Sequence, residues 1–259
     1  MDVAFIHFMI QFLSTAGVFC LFGLILWLSN RLFYFFIGER ARAVCVATGI
    51  VGTPVHEIGH AIFCVLFFHK IDKISFFQPN NDDGVLGYVN HSYNRRNPYQ
   101  QLGNFFIGIG PILFGGALLL VFLRFLVPDL FFEFVSKCDH ITLSNCLQTT
   151  FSGLTILFRS ENYKDGFFWI FLILAALISL HMSLSLADVK TGLVGLLYLV
   201  LLLFGVDVVL FFFFPNVQNA LSLACLRIGM FSVFFFSVAL AISLLLNFVF
   251  VWTRIKKRG

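Results

Sequence analysis

Long apolar stretches, separated by short polar segments, run through most of the chain. A helix needs about 20 apolar residues to cross the hydrocarbon core of a bilayer. Six stretches reach that length, and we predict that each forms a membrane-spanning helix: 8–28, 44–68, 102–127, 167–189, 191–214 and 228–252. The polar interruptions at 69–101 and 128–166 are too short for a soluble catalytic domain. The pattern therefore predicts a single integral membrane domain over 1–259, all-α in class, with about six transmembrane helices.

Composition excludes the water-soluble classes of protein. Hydrophobic residues make up 59% of the 259 residues and charged residues 12%, a ratio that a water-exposed surface does not tolerate. The net charge of +4 does not indicate nucleic-acid binding, because four of the basic residues follow the last predicted span, in a tail at 253–259. By the positive-inside rule this tail faces the cytoplasm, and six crossings would put both termini there, in the cell membrane. The first span lacks a signal-peptide pattern, so we expect it to remain as an anchor.

The second predicted span contains one ionisable cluster, His56-Glu57-Ile58-Gly59-His60, among residues that are otherwise apolar or small. Residues four apart share a helical face, so both imidazoles can reach one tetrahedral cation while Glu57 approaches a water on it. An acidic side chain near the bilayer centre costs about 2.5–3.5 kcal/mol on insertion scales, so such groups are functional by default. The alternative is a chance pattern in which the histidines only form hydrogen bonds. The spacing favours zinc, with Glu57 as the base.

A catalytic zinc site normally has three protein ligands, so another span is expected to supply a third donor. Asp188 and Asp207 both qualify. Asp188 closes the fourth predicted span and lies about 12 Å nearer the membrane surface than His60, while Asp207 is displaced by a similar distance towards the other face. The sequence leaves both open. His181 shares the face of Asp188 two turns away, and we interpret it as substrate-facing, with core packing as the alternative.

The polar segment that follows the second span predicts a β-hairpin at roughly 71–91. Its turn signal is Asp83-Gly84, which stands between two apolar runs. Gly84 and Gly87 permit close backbone approach, so we predict that they bind substrate where an extended strand adds to the hairpin edge. An ordinary surface turn is the alternative reading.

Three features in chain order resemble the site-2 protease family of intramembrane zinc metalloproteases. H-E-I-G-H lies inside an apolar helix, a hairpin-like segment follows, and Gly108-Ile109-Gly110-Pro111 opens the next span, similar to the family's Ala-Gly-Pro element. A distant aspartate looks like the family's third ligand. The likeness covers a core region at 44–195.

Two positions depart from the usual family pattern. Phe114 stands where the family often has Asn, and Asp188-Val189 stands where Asp-Gly is usual. The S-x-x-D-x-K-x-G stretch from Ser185 to Gly192 resembles a less familiar branch of these peptidases, which favours Asp188 over Asp207 as the third ligand. The resemblance implies a minimal member without a PDZ domain.

The resemblance implies a zinc metalloendopeptidase in which His56, His60 and Asp188 hold Zn²⁺ and Glu57 is the general base. Its substrates would be transmembrane or signal-peptide-like proteins, which must unwind locally to expose a peptide bond. Two other classes stay open: a non-catalytic protein that binds or transports a metal ion, and a protease-like scaffold that binds transmembrane clients. Because transport has little use for Glu57 and such scaffolds typically lose one of the three motif residues, the intact motif favours catalysis.

The six cysteines contain no C-x-x-C pair and do not cluster with histidine, so they do not indicate a thiolate metal site. Cys138 and Cys146 share the second polar segment. A disulfide between them is compatible with an oxidising compartment, and their separate packing as free thiols is the alternative.

Overall fold

The structure is a computed structural model that describes residues 2–80, 84–139 and 144–256. Its α-helices are α1 (Asp2–Phe12), α2 (Val18–Ile37), α3 (Ala41–Leu66), α4 (Pro98–Leu126), α5 (Pro128–Asp139), α6 (Cys146–Leu157), α7 (Gly166–Ser179), α8 (Leu186–Phe213) and α9 (Pro215–Lys256). A π-helical turn, Leu13–Gly17, joins α1 to α2. Strands β1 (Lys70–Ser75) and β2 (Tyr88–Ser92) form a two-stranded antiparallel sheet. These elements confirm an all-α membrane protein with a small hairpin.

Five helices of the described chain are long and apolar enough to cross a membrane, one fewer than the sequence predicted. They are Ala4–Ile37, Ala41–Leu66, Pro98–Leu126, Leu186–Phe213 and Pro215–Phe248. The predicted span at 167–189 contains α7 instead, whose 14 residues extend about 21 Å and fall short of a hydrocarbon core of about 30 Å.

The helices α7 and α8 follow each other along α4 in the same direction, with a short irregular segment between them. Three contacts are spaced along α4: Gly115 packs against Met182, Gly108 against Asp188, and Gln101 against Gly195. The order is continuous, so α7, the irregular segment 180–185 and α8 all run antiparallel to α4. The prediction of two oppositely directed spans, 167–189 and 191–214, is therefore wrong. Hydropathy averages over a break this short and cannot locate a new helix start inside an apolar run.

The first and last helices of the bundle run parallel to each other. Gln11 is hydrogen-bonded to Ser222, and further along both helices Ser29 is hydrogen-bonded to Ser243. The start of α1 and the end of α9 consequently lie at opposite ends of the bundle. The predicted placement of both termini on one side is wrong for this arrangement, because the interrupted path α7–α8 counts as one crossing and not two.

The hairpin lies between α3 and α4 in the chain and packs on α3. Lys70 pairs with Ser92 and Ser75 with Tyr88, close to the predicted limits of 71–91. Gly84 has a φ of 73°, a conformation that glycine adopts readily. The neighbouring Asp83 lies outside the described residues.

Two further predictions also fall outside the part that the structure describes. The side chains of Cys138 and Cys146 are not described, so their disulfide stays a prediction. The same holds for the basic tail at 253–259, of which only the backbone as far as Lys256 is described.

Candidate metal centre

Two histidines of α3 and one aspartate of α8 bring three ligand atoms together. One ligand atom from each of His56, His60 and Asp188 lies within 4.8 Å of the other two. The Nε2 atoms of the two imidazoles are 3.1 Å apart, and His60 Nε2 lies 3.4 Å from Asp188 Oδ1. Within the described residues, this triad is the one group of three histidine, cysteine or acidic side chains close enough together to hold a metal ion.

Asp207 is not part of the triad. It lies about five turns further along α8, about 28 Å from Asp188 at the usual helical rise. Its carboxylate is fully buried against Gln11 of α1 and Gln218 of α9. Of the two aspartates that the sequence left open, the structure places Asp188 at the histidines.

Backbone carbonyls orient both imidazoles of the triad. His56 Nδ1 lies 2.6 Å from the carbonyl oxygen of His181, and His60 Nδ1 lies 2.7 Å from that of Ile107. A carbonyl can only accept, so both Nδ1 atoms carry hydrogen. In the neutral, metal-binding form of each ring, Nε2 is then bare. Two bare nitrogens face each other beside a carboxylate, with no proton between them, and a cation satisfies all three acceptors. The donor set therefore fits a bound metal.

A proline makes the carbonyl that orients His60 available. Pro111 lies inside α4, four residues after Ile107, and has no N–H to donate to the Ile107 oxygen. The preceding residue, Gly110, lets the two helices touch, because a Cβ there would lie only 2.7 Å from the oxygen of Gly59 in α3. The Gly-Pro pair thus admits α3 at close range and supplies the acceptor that orients its histidine.

The carbonyl that orients His56 comes from the break between α7 and α8. The oxygen of Leu180 accepts a hydrogen bond from Asn30 Nδ2 at 2.9 Å, and that of the next residue, His181, accepts from His56 Nδ1. Irregular backbone inside a membrane is tolerated where protein groups satisfy it. The sequence does not predict this role of Asn30, because a side chain that donates to a backbone carbonyl requires no sequence motif.

The side chain of His181 does not line the cavity at the triad. Its ring packs against Gly52 of α3, and its Nδ1 lies 3.2 Å from the carbonyl oxygen of Leu177. From the sequence, His181 was predicted to face the substrate. The structure instead makes its backbone oxygen the partner of His56 and places its ring in helix packing, the alternative reading.

A capping box at the start of α8 holds the Asp188 carboxylate. Asp188 Oδ2 accepts from the backbone N–H of Ser185 at 2.8 Å, and Ser185 Oγ accepts from the Asp188 N–H at 3.1 Å. Such a reciprocal pair satisfies two otherwise free donors at a helix start. It occupies Oδ2 and leaves Oδ1 directed towards His60. The same bonds that begin α8 therefore orient the third side chain of the triad.

A cavity of about 660 Å³ opens beside the triad and is bordered by α3, α4, α8 and the hairpin. Glu57 lines it and is only 6% exposed. Gly87 also lines it, and a Cβ there would lie 2.8 Å from Glu57 Cγ. Any side chain at Gly87 would thus collide with the carboxylate. Gly84 has nothing within 4 Å of the place of its absent Cβ and is not among the residues that line the cavity, so its role in substrate binding stays a prediction.

His91 of β2 also lines this cavity, and the sequence analysis did not single it out. His69 Nε2 donates to the Gln100 carbonyl at 2.8 Å, so His69 Nδ1 accepts from His91 Nδ1 at 3.0 Å. Burial and then the neighbouring His69 lower the pKa of His91 to about 4, and burial also lowers the pKa of His69. Both rings are therefore neutral at neutral pH, and His91 Nε2 is a bare acceptor. The sequence could have predicted this contact, because a hairpin over roughly 71–91 places His69 and His91 close together at its open end.

We expect Pro111→Ala to weaken metal binding about 10–100-fold, the usual effect of removing a group that orients a ligand. The new N–H would donate to Ile107 O and compete with His60 Nδ1. Metal affinity would be measured by competition with a chelator in detergent. Because alanine suits a helix interior better than proline, the fold should not be destabilised. Pro128→Ala, at the first turn of α5, is the control, and equal affinity in both variants would contradict this role.

Comparison with protein-family models, curated proteins and solved structures found no match for this chain. The resemblance to site-2 proteases accordingly rests on the sequence motifs alone.

Proposed function

We propose that this protein is an intramembrane zinc metalloendopeptidase that hydrolyses peptide bonds of membrane-embedded or membrane-proximal proteins. The observation that carries the proposal is the triad of His56, His60 and Asp188, with a buried Glu57 in the same cavity. Two imidazoles and one carboxylate are a ligand set of catalytic zinc sites, which keep a fourth position open for water or substrate.

Glu57 is the proposed base. Zinc bound by the triad would activate water for attack on a peptide carbonyl. Glu57 follows His56 directly in α3 and faces the cavity, so its carboxylate can take the proton released by that water. It then delivers the proton to the leaving nitrogen as the C–N bond breaks. The step needs no further acid, because one proton moves from water to amine.

The hairpin favours a substrate in extended form. Val85 and the residues from Gly87 to His91 border the cavity along one side, and a two-stranded sheet leaves one edge of β2 unpaired. An extended peptide can add to such an edge through backbone hydrogen bonds. His91 Nε2 offers a further acceptor for a substrate N–H. We therefore propose transmembrane or signal-peptide-like segments as substrates, unwound near the scissile bond, with Gly87 at the closest approach of the hairpin to Glu57.

The other two classes have less support. A transport path needs successive metal sites, and within the described residues the triad is one isolated group. A scaffold that binds clients without cutting them does not need a carboxylate beside the metal ligands. Glu57 has a place in hydrolysis and none in either alternative.

Elemental analysis of the full chain, purified in detergent without chelator, tests the metal. We expect about one zinc per chain, with peptide cleavage lost on chelation and restored by zinc. A metal content near zero would overturn the proposal. Stoichiometric zinc without cleavage of any transmembrane peptide would favour the metal-binding alternative.

A further inference from the structure

A second group of polar side chains is buried where α1, α8 and α9 meet, at the other end of α8 from the triad. This Asp207 cluster consists of Gln11, Asp207, Gln218 and Ser222, with exposures of 0%, 0%, 2% and 5%. The proposed hydrolysis makes no use of it. Polar groups buried in a membrane protein are costly and are typically retained for a function.

The hydrogen-bond donors of the Asp207 cluster are already committed. Gln11 Nε2 donates to Asp207 Oδ1 at 2.9 Å and to Ser222 Oγ at 3.0 Å, which uses both of its hydrogens. Gln218 Nε2 lies 3.2 Å from Asp207 Oδ1 and 3.3 Å from the Asp207 carbonyl oxygen. Ser222 Oγ also lies 2.8 Å from His7 Nδ1.

Two acceptor atoms of the cluster remain without a hydrogen-bond partner. They are Asp207 Oδ2 and Gln11 Oε1, both buried. Each belongs to a planar group whose other atom takes part in the 2.9 Å bond between Gln11 and Asp207, so the two atoms belong to side chains that face each other between α1 and α8. A buried acceptor without a donor is unfavourable, and a carboxylate in a low-dielectric interior is paired, bound to a cation or neutralised.

No permanent positive charge faces Asp207 from the described parts of the helices packed against it. The described ion pairs join other residues. Two ionisable groups are linked to Asp207: His7 of α1, through Ser222, and Cys225 of α9. Neither is a fixed cation. The cluster is therefore rich in oxygen acceptors and lacks a balancing charge.

We propose that the Asp207 cluster binds one monovalent cation of the sodium class through Asp207 Oδ2, Gln11 Oε1 and Ser222 Oγ. With its hydrogen donated to His7 Nδ1, Ser222 Oγ keeps one lone pair after it accepts from Gln11. Carboxylate, amide and hydroxyl oxygens suit a hard cation, in contrast to the imidazoles of the triad, which suit zinc. A single carboxylate matches a single positive charge.

The backbone next to the cluster supports a site at this position. The π-helical turn Leu13–Gly17 begins two residues after Gln11, and such turns are frequent at functional sites. The hydroxyls of Ser14 and Thr15 donate to the carbonyl oxygens of Ile10 and Gln11, which ties the end of α1 to this turn. A cation held here would join three helices that are distant in sequence, and its binding energy would add to the stability of the bundle.

Thermal unfolding of the purified full chain tests the proposal, in sodium chloride against choline chloride at equal ionic strength. We expect a saturable rise of the midpoint with sodium, about 5 °C or more at 100-fold above the dissociation constant. Asp207→Asn and Gln11→Leu should abolish the sodium dependence. Asp129→Asn, which changes an exposed carboxylate of α5, should retain it.

Equal midpoints of the wild type in sodium and in choline would overturn the proposal and leave a proton as the neutralising charge. A wild-type sodium response in Asp207→Asn would overturn it as well, since the ion would then bind elsewhere. If Asp207→Asn does not fold, the sodium dependence of Ser222→Ala tests the site instead. We expect it to fold and to need about 10-fold more sodium for half of the effect, as loss of a single ligand predicts, and an unchanged requirement would refute the site.

Discussion

Glu57→Gln is expected to lower peptide hydrolysis about 10²–10⁴-fold while leaving zinc bound. Glutamine has nearly the same volume as glutamate, so the buried position between α3 and Gly87 stays filled. It cannot accept a proton from water at neutral pH, so the base is lost without the metal ligands. Cleavage of a transmembrane peptide in detergent, together with the zinc content of the same preparation, measures both effects.

The matched control for this prediction is Glu133→Gln. Glu133 lies in α5 and forms an exposed, bidentate ion pair with Arg159, remote from the cavity. We expect full hydrolysis and full zinc content in this variant. Wild-type activity in Glu57→Gln would show that another group removes the proton, whereas loss of zinc there would show that Glu57 acts as a ligand.

Asp188→Ala is expected to reduce the zinc content of the purified protein to a small fraction of the wild-type value, and hydrolysis with it. Removal of a direct ligand should exceed the roughly 10–100-fold loss that follows from mutation of an orienting partner. Two bare imidazole nitrogens would remain without the carboxylate that completes the set. Elemental analysis and titration with zinc against a competing chelator give the occupancy and the affinity.

Two companion variants make the Asp188 result interpretable. Ser185→Ala removes the Oγ acceptor of the capping box but keeps the backbone N–H that holds Asp188 Oδ2, so it should retain most of the zinc affinity that Asp188→Ala loses. Asp207→Asn should keep full zinc occupancy, since its carboxylate lies near the far end of α8. If Asp188→Ala retained stoichiometric zinc while Asp207→Asn lost it, the assignment of the triad would be refuted.

Failure of the zinc site and failure of the sodium site are separable. The triad is tested by zinc content and cleavage, whereas the Asp207 cluster is tested by how far sodium, compared with choline, raises the midpoint of thermal unfolding. Because the two sites lie near opposite ends of α8, each variant is expected to change one readout and leave the other unchanged.

The features that the sequence predicted correctly depend on residues that are close together in the chain. Apolar runs of sufficient length identify membrane helices whatever they pack against, because lipid is the common solvent. The spacing of His56 and His60 places both rings on one face of any helix, and Glu57 follows from the same geometry. The hairpin was also predicted from residues close in the chain, and its two strands pair near the predicted limits of 71–91. These features depend on neighbours within a few positions in the chain.

Only the tertiary structure decided between Asp188 and Asp207, and it did so through the break that begins α8 inside an apolar run. That break places Asp188 beside His60 and frees the backbone oxygen of His181 for His56. Pro111 and His91 gained their roles in the same way, from elements that approach each other across the bundle. The residue types do not show which backbone carbonyl will accept a hydrogen bond, because every residue has one. They also do not show the direction in which a helix crosses the bundle, because the same apolar composition suits either direction. Their contribution to the site exists only once the helices are packed.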